Sequence, residues 1–244
     1  MKIFLCALSS KRHLDQSILC IKSIRDKGDF TGDIFLFTDQ KISNPLQKKY
    51  LNNVTIINVA CKSITQAASF RLKVFDYISF QKNDIVLYLD TDIVLLKSLP
   101  DFTDIDNKLN VYGFDGSYGF QKRSQKEESF AGFLTDDENV INNHPFCSGI
   151  LLFRASSKIR SLFDQSLDVF IESESKGVIN PMWEQPALNL IFSKHDMFTI
   201  SLNKYVFEER TKKSGGKINQ DTVFNHFCGY RGNSIGQLMN NYLK

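Results

Sequence analysis

Short unbroken apolar runs, each closed by a polar or acidic residue, recur along the first hundred residues and alternate with stretches of helical periodicity. Residues 2–9, 33–39 and 54–59 have the first form. Runs of this kind, rich in Ile, Phe and Leu, predict strands covered on both faces, as in a parallel sheet. Between the first two, Ile18, Leu19, Ile21 and Ile24 give an apolar helix face, with Asp15 as its cap and Gly28 as its end. Asn44-Pro45 opens a short helix, and residues 67–80 read as a helix leading into a further apolar run, Ile85 to Leu89. Repeated strand–helix units without strict alternation inside the strands predict an α/β domain, with a mostly parallel, doubly wound central sheet flanked by helices.

The second half is more broken. Strands are expected at residues 110–115, 146–153, 198–202 and 223–229. Helices are expected from the cap Ser156 to about residue 173, over 182–193 and over 237–243. Residues 116–145 form a long polar stretch that reads as an active-site lid or a disordered loop, and 211–217 as a mobile basic loop. With no repeat and no low-complexity linker, a single domain over residues 1–244 is the expected organisation.

Composition narrows the function. A net charge of +3 is too small to argue for a nucleic-acid partner. The charge suits an anionic small ligand, and the basic loops allow at most a peripheral membrane contact. No run approaches the length of a membrane span. The apolar residues 3–8 are too short for a signal peptide and are followed by Lys11-Arg12, so they read as the first strand of a cytoplasmic protein. The five cysteines are scattered; Cys6, Cys20 and Cys147 lie in apolar runs and are expected to be core thiols in a reducing compartment.

The chemistry centres on Asp90-Thr91-Asp92, where the run Ile85 to Leu89 ends. Two acids two residues apart on extended backbone point to the same side. Placed together at the end of a buried strand they repel, unless a cation sits between them. The carboxyl end of such a strand is also where open α/β sheets place ligands. A solvated turn after a core strand is the alternative for these three residues.

The wider segment, Phe70-Arg71-Leu72-Lys73 followed by Val86-Leu87-Tyr88-Leu89-Asp90-Thr91-Asp92, resembles the retaining glycosyltransferases of family 8, of the GT-A (Rossmann-like) nucleotide-diphospho-sugar transferase fold. The resemblance implies transfer of a hexosyl group from a nucleoside-diphosphate sugar, a UDP-sugar first, to a glycan, lipid-linked or protein acceptor. It makes residues 1–100 the nucleotide-binding half and 101–244 the sugar and acceptor half. Val223 to Gly229 resembles the family's late His-X-X-Gly element, so that His226 completes a metal set with Asp90 and Asp92. Such a set suits manganese, with magnesium as the alternative.

The resemblance also assigns Arg71 to the donor diphosphate, where charge grows as the sugar–phosphate bond breaks. Trp183 to Asn189 resembles the family's sugar-side Asp-Gln segment, with Glu184 in the aspartate's place and Gln185 under the anomeric carbon. A neutral amide there fits a retaining reaction, since an inverting one needs a carboxylate base. Asp115 is implied to hold a sugar or acceptor hydroxyl, and Ser148 and Gly149 to let the backbone pass close to the sugar. Leu8, Ser9 and Asp39 are implied near the base and ribose, and Thr91, Gly229 and Arg231 along the donor. This chain departs from the pattern at Cys147, where the family has asparagine, at Pro186, and at Ser9-Ser10, where an acid or asparagine is usual. A non-catalytic nucleotide-binding or interaction protein of the same fold is therefore the second reading. A sugar nucleotidyltransferase is disfavoured because residues 6–13 carry no glycine for a phosphate loop. A glycoside hydrolase is remote, since its carboxylate pair needs no metal–histidine set.

Overall fold

The apolar runs become strands and the periodic stretches helices in the computed structural model. It describes residues 1–43, 45–103, 111–115, 134–141, 143, 145–178, 182–209, 218–228 and 234–244. Gly229, Arg231, the loop 211–217 and most of the 116–145 stretch lie outside the described residues, as does the Asp115 side chain. The chain folds into two compact units, each assembled from separate segments.

The first unit takes Met1–Ala67, Leu87–Asp104 and Asn203–Lys244. Its strands β1 (Lys2–Ala7), β2 (Asp33–Thr38), β3 (Val54–Asn58) and the end of β4 (Ile85–Leu89) lie in the order β3-β2-β1-β4. β1 runs parallel to β2, and β2 to β3, in unbroken register from Lys2↔Asp33 to Ala7↔Thr38 and from Ile34↔Val54 to Thr38↔Asn58. All five residues of β4 are buried. Phe4 packs its ring on Tyr88 at 4.9 Å and on Phe37 at 6.3 Å, edge to face in the second case. A second, three-stranded sheet has the order β5 (Ile93–Leu95), β10 (Phe224–His226), β9 (Val206–Glu208). β10 is antiparallel to β5 and parallel to β9.

Helix α1 (Lys11–Asp26) starts earlier than its apolar face suggests. Its cap is Ser10, on extended backbone, whose hydroxyl accepts the His13 N–H at 3.3 Å. Asp15 thus lies inside the helix, a correction to its expected capping role: Ser10 offers the orphan N–H groups an oxygen one turn earlier. The last helix likewise begins at Ser234 and runs to Tyr242.

The second unit takes Ala68–Val86 and Ile105–Leu202. Its strands β6 (Val111–Asp115), β7 (Phe146–Arg154) and β8 (Phe198–Thr199) lie in the order β7-β6-β8. β6 runs antiparallel to β7, with a register shift between Tyr112 and Phe114, and parallel to β8. At Gly113, in that shift, an added Cβ would stand 3.0 Å from the Phe146 Cβ, so tight that Phe146 would have to give by a few tenths of an ångström. The helix expected over 67–80 is three short pieces: Ile64–Ser69, a 3₁₀ turn at Phe70–Lys73 and Val74–Tyr77. The long helix Ser157–Ser175 is capped by Ser156 as expected, its hydroxyl accepting the Ile159 N–H at 3.2 Å. The next helix begins at Gln185 rather than 182, because Trp183 adopts φ +54°, a left-handed conformation no helix continues through. A chain of rings forms the core: Phe75 to Phe153, Phe153 to Phe163, Phe163 to Phe192 and Phe192 to Phe146, with centroids 5.3–6.0 Å apart.

All five cysteines are free thiols. Cys20 is buried as expected, whereas Cys6 and Cys147 are half-buried: each falls on a strand position that is less covered than its neighbours. Among the described residues no helix is long and apolar enough to cross a membrane.

Candidate active site

The first unit carries an acid–imidazole cluster. After β4 the chain leaves extended geometry, and Asp90-Thr91-Asp92 form a turn into β5. The turn, not a straight strand, therefore aims the two carboxylates. Tyr88, fully buried two residues earlier, donates its phenol hydrogen bond to Asp90 Oδ1. The Thr91 hydroxyl turns inward to Gln16 Oε1 at 3.4 Å. The Asp92 carbonyl accepts the Phe227 N–H at 3.0 Å, tying the turn to the end of β10. Pairing of His226 with Ile93 in the β5–β10 ladder then brings the imidazole to the acids. His226 Nε2 is 3.5 Å from Asp92 Oδ1, and its Nδ1 is 3.8 Å from Glu208 Oε1. Ligand atoms of Asp90, Asp92 and His226 lie within 4.8 Å of one another.

The electrostatics of the cluster favour a positive charge at its centre. Burial pushes the His226 imidazole down, but Asp92, through charge and a hydrogen bond, with Glu208 and Asp90, outweighs it and raises the group to about 9. A proton on the ring thus balances the acids in the metal-free protein. Burial first, and then Asp92 and Asp90, push the neighbouring Cys20 thiol well above its ordinary value, so it stays protonated. Two carboxylates and one imidazole are hard and borderline donors, and three of them leave positions for oxygens of a ligand; the set fits a divalent ion such as manganese or magnesium.

Also in the first unit, Ser9 stands at φ +66° after β1, and its N–H donates to both oxygens of Asp39, at 3.2 and 3.0 Å. The ends of β1 and β2 are thereby joined at the residues assigned to the base and ribose. Leu8 is buried, and its carbonyl lies 2.7 Å from His13 Nδ1.

The second unit gathers Arg71, Ser148, Glu184 and Gln185. Arg71 Nε is 3.0 Å from Glu184 Oε1, and its Nη1 donates to the Ser148 carbonyl at 2.7 Å. The Ser148 hydroxyl donates to Glu184 Oε1 at 3.1 Å, and its N–H to Gln185 Oε1 at 3.0 Å. Asn189, one turn after Gln185, accepts the Phe146 N–H and donates to the Phe146 and Gln185 carbonyls, each at 2.9–3.0 Å. With its oxygen held by Ser148, the Gln185 side chain leaves a buried Nε2 that has no hydrogen-bond partner among the described residues. Gly149 follows in β7, buried, with its N–H 3.5 Å from Cys147 Sγ. Glu184 and Gln185 are 1% and 5% exposed, so this is an enclosed polar network rather than a solvated helix start.

Four residues escaped the reading of the sequence: Tyr88, Gln16, Glu208 and Asn189. Tyr88 and Asn189 carried signals, since one lies two positions before Asp90 along a strand and the other four after Gln185 along a helix. Gln16 and Glu208 reach the site through tertiary pairing alone.

The model of the glycosyl transferase family 8 matches residues 11–231, and the chain belongs to that family. It is thus a glycosyltransferase of the GT-A fold. Among solved structures it is similar to the galactosyltransferase LgtC in complex with donor and acceptor sugar analogs, at 17% identity and TM-score 0.63, covering 99% of this chain and 95% of that one. An active-site mutant of LgtC gives 16% identity and TM-score 0.66 over 100% of this chain and 95% of that one. The WbbM bifunctional glycosyltransferase gives 14% identity and TM-score 0.61, over 94% of this chain and 46% of that one. No curated protein matches.

Proposed function

We propose that the chain is a metal-dependent, retaining hexosyltransferase that takes its sugar from a nucleoside-diphosphate sugar, a UDP-sugar first, and passes it to a glycan, lipid-linked or protein acceptor. The observation that carries the proposal is the convergence of ligand atoms of Asp90, Asp92 and His226 within 4.8 Å of one another. These three residues would hold manganese or magnesium. The bound ion would supply Lewis-acid neutralisation of the charge that develops on the leaving diphosphate.

The chain's own residues supply the rest of the chemistry. Ser9 and Asp39 present a backbone and carboxylate pair for ribose or base. Glu184, held by Arg71 and Ser148, presents a carboxylate for sugar hydroxyls, and Gln185 presents an uncharged amide beside it. Neither Gln185 nor Asn189 is a base strong enough to deprotonate an acceptor for inversion, which supports retention. Similarity to LgtC, solved with donor and acceptor sugar analogs, supports a sugar donor and a glycan acceptor. Slow hydrolysis of a UDP-hexose panel, followed by release of UDP, tests the reading. Hydrolysis that needs manganese and falls at least about tenfold in Asp92→Ala is expected. Metal-independent release, equal in the two proteins, would contradict it.

A further inference from the structure

A buried carboxylate stands behind the third member of the metal set. The parallel ladder of β9 and β10 places His226 directly beside Glu208, and the two are 4% and 7% exposed. The imidazole therefore has an acid at each edge, Asp92 3.5 Å from Nε2 and Glu208 3.8 Å from Nδ1. The next acid, Glu209, belongs to a different network: it accepts from Asn225 Nδ2 and from the Tyr242 hydroxyl, each at 3.0 Å. An imidazole that offers Nε2 to a cation must be neutral and carry its proton on Nδ1. The other tautomer would turn a proton toward the ion.

We infer that Glu208 is a positioning residue of the metal site. Its carboxylate stands 3.8 Å from Nδ1 in the metal-free protein, beyond hydrogen-bond length, and closes on the Nδ1 proton of His226 once a cation takes Nε2, so selecting the tautomer whose Nε2 lone pair faces Asp90 and Asp92. This rests on the reading of Asp90, Asp92 and His226 as metal ligands. The arrangement follows general chemistry: ligating histidines are oriented by a carboxylate or carbonyl on the far nitrogen, and loss of that partner weakens the metal. Here the partner comes from a neighbouring strand, so strand register and imidazole orientation are set together.

Two readouts test it: manganese affinity, from the EPR signal of free Mn²⁺ during titration with the metal alone, and the ¹⁵N shifts of the His226 ring in the magnesium-loaded protein. The proteins are wild type, Asp92→Ala, Glu208→Ala and Glu208→Gln. Glu208→Ala is expected to weaken manganese about 10- to 100-fold and to lose the pure Nδ1-protonated ring. Glu208→Gln, whose amide oxygen still accepts that proton, is expected to recover most of the affinity. Unchanged affinity and tautomer in Glu208→Ala would overturn the inference while leaving the metal site standing. Equal losses in Glu208→Gln and Glu208→Ala with the tautomer preserved would make Glu208 a direct ligand, and would also overturn it. If wild type binds manganese no better than Asp92→Ala, the metal reading itself falls and takes this one with it. Should Glu208→Ala not fold, an Nε2-protonated ring in loaded wild type is sufficient to reject the role.

Discussion

At the scale of single residues, His226 sets a pH signature. Its ring is raised from 6.5 to about 9 in the folded, metal-free protein, despite burial, by Asp92, Glu208 and Asp90. The folded state therefore holds this proton more tightly than the unfolded chain. The resulting stabilisation is full below about pH 6.5 and is lost as pH rises through about 9. Metal acts in the opposite sense, because a bound cation must displace the proton, so manganese affinity climbs over the same window. In EDTA, the melting temperatures of wild type and His226→Gln should converge between about pH 6 and pH 10. A gap that does not change with pH would refute the buried imidazolium. The Arg71–Glu184 pair makes a second prediction. Its side chains are 13% and 2% exposed, so Glu184→Ala strands a guanidinium and should cost about 3–5 kcal/mol in urea unfolding. The double variant Arg71→Met/Glu184→Leu should cost clearly less than the sum of its two single changes, and strict additivity would show that the ion pair is not coupled.

At the scale of elements, the caps and breaks decide where function-bearing residues fall. Ser10→Ala should destabilise by about 1 kcal/mol, whereas Asp15→Ala, inside the helix, should stay within about 0.5 kcal/mol. The reverse order in chemical denaturation would return the cap to Asp15. Elements buried on both faces were legible: β1, β2 and β4 are continuous apolar runs and appear where those runs lie. The sheet β5-β10-β9 was only partly so. Its strands have three residues each, and Val206–Glu208 sits far along the chain from the Ile93–Leu95 strand whose sheet it joins. Three residues are too few to show a period, and pairing across such distances leaves no local trace. For that reason His226 could be named from its motif, while Glu208, fixed only by register, could not. The broken helix around Arg71 was illegible for a related reason, since its apolar spacing suits both α and 3₁₀ turns.

At the scale of the molecule, an identity of 17% to LgtC accompanies a shared fold over 99% of this chain. The fold could be read from the sequence because it rests on the burial pattern of the strands, which the apolar runs display directly. In the proposed function Glu184 faces the sugar, and Glu184 and Cys147 are positions where this chain departs from the pattern that the resemblance implies, so that pattern does not supply the donor sugar. We propose a metal-dependent nucleotide-sugar site built on Asp90, Asp92 and His226. It is tested most directly by thermal shift with nucleoside diphosphates and their sugars, with and without manganese, on wild type and Asp92→Ala. A ligand that binds only the folded state raises the melting temperature. A rise with UDP or a UDP-sugar that requires manganese and vanishes in Asp92→Ala is expected. A cooperative melt that no nucleotide shifts, with or without the metal, would contradict it.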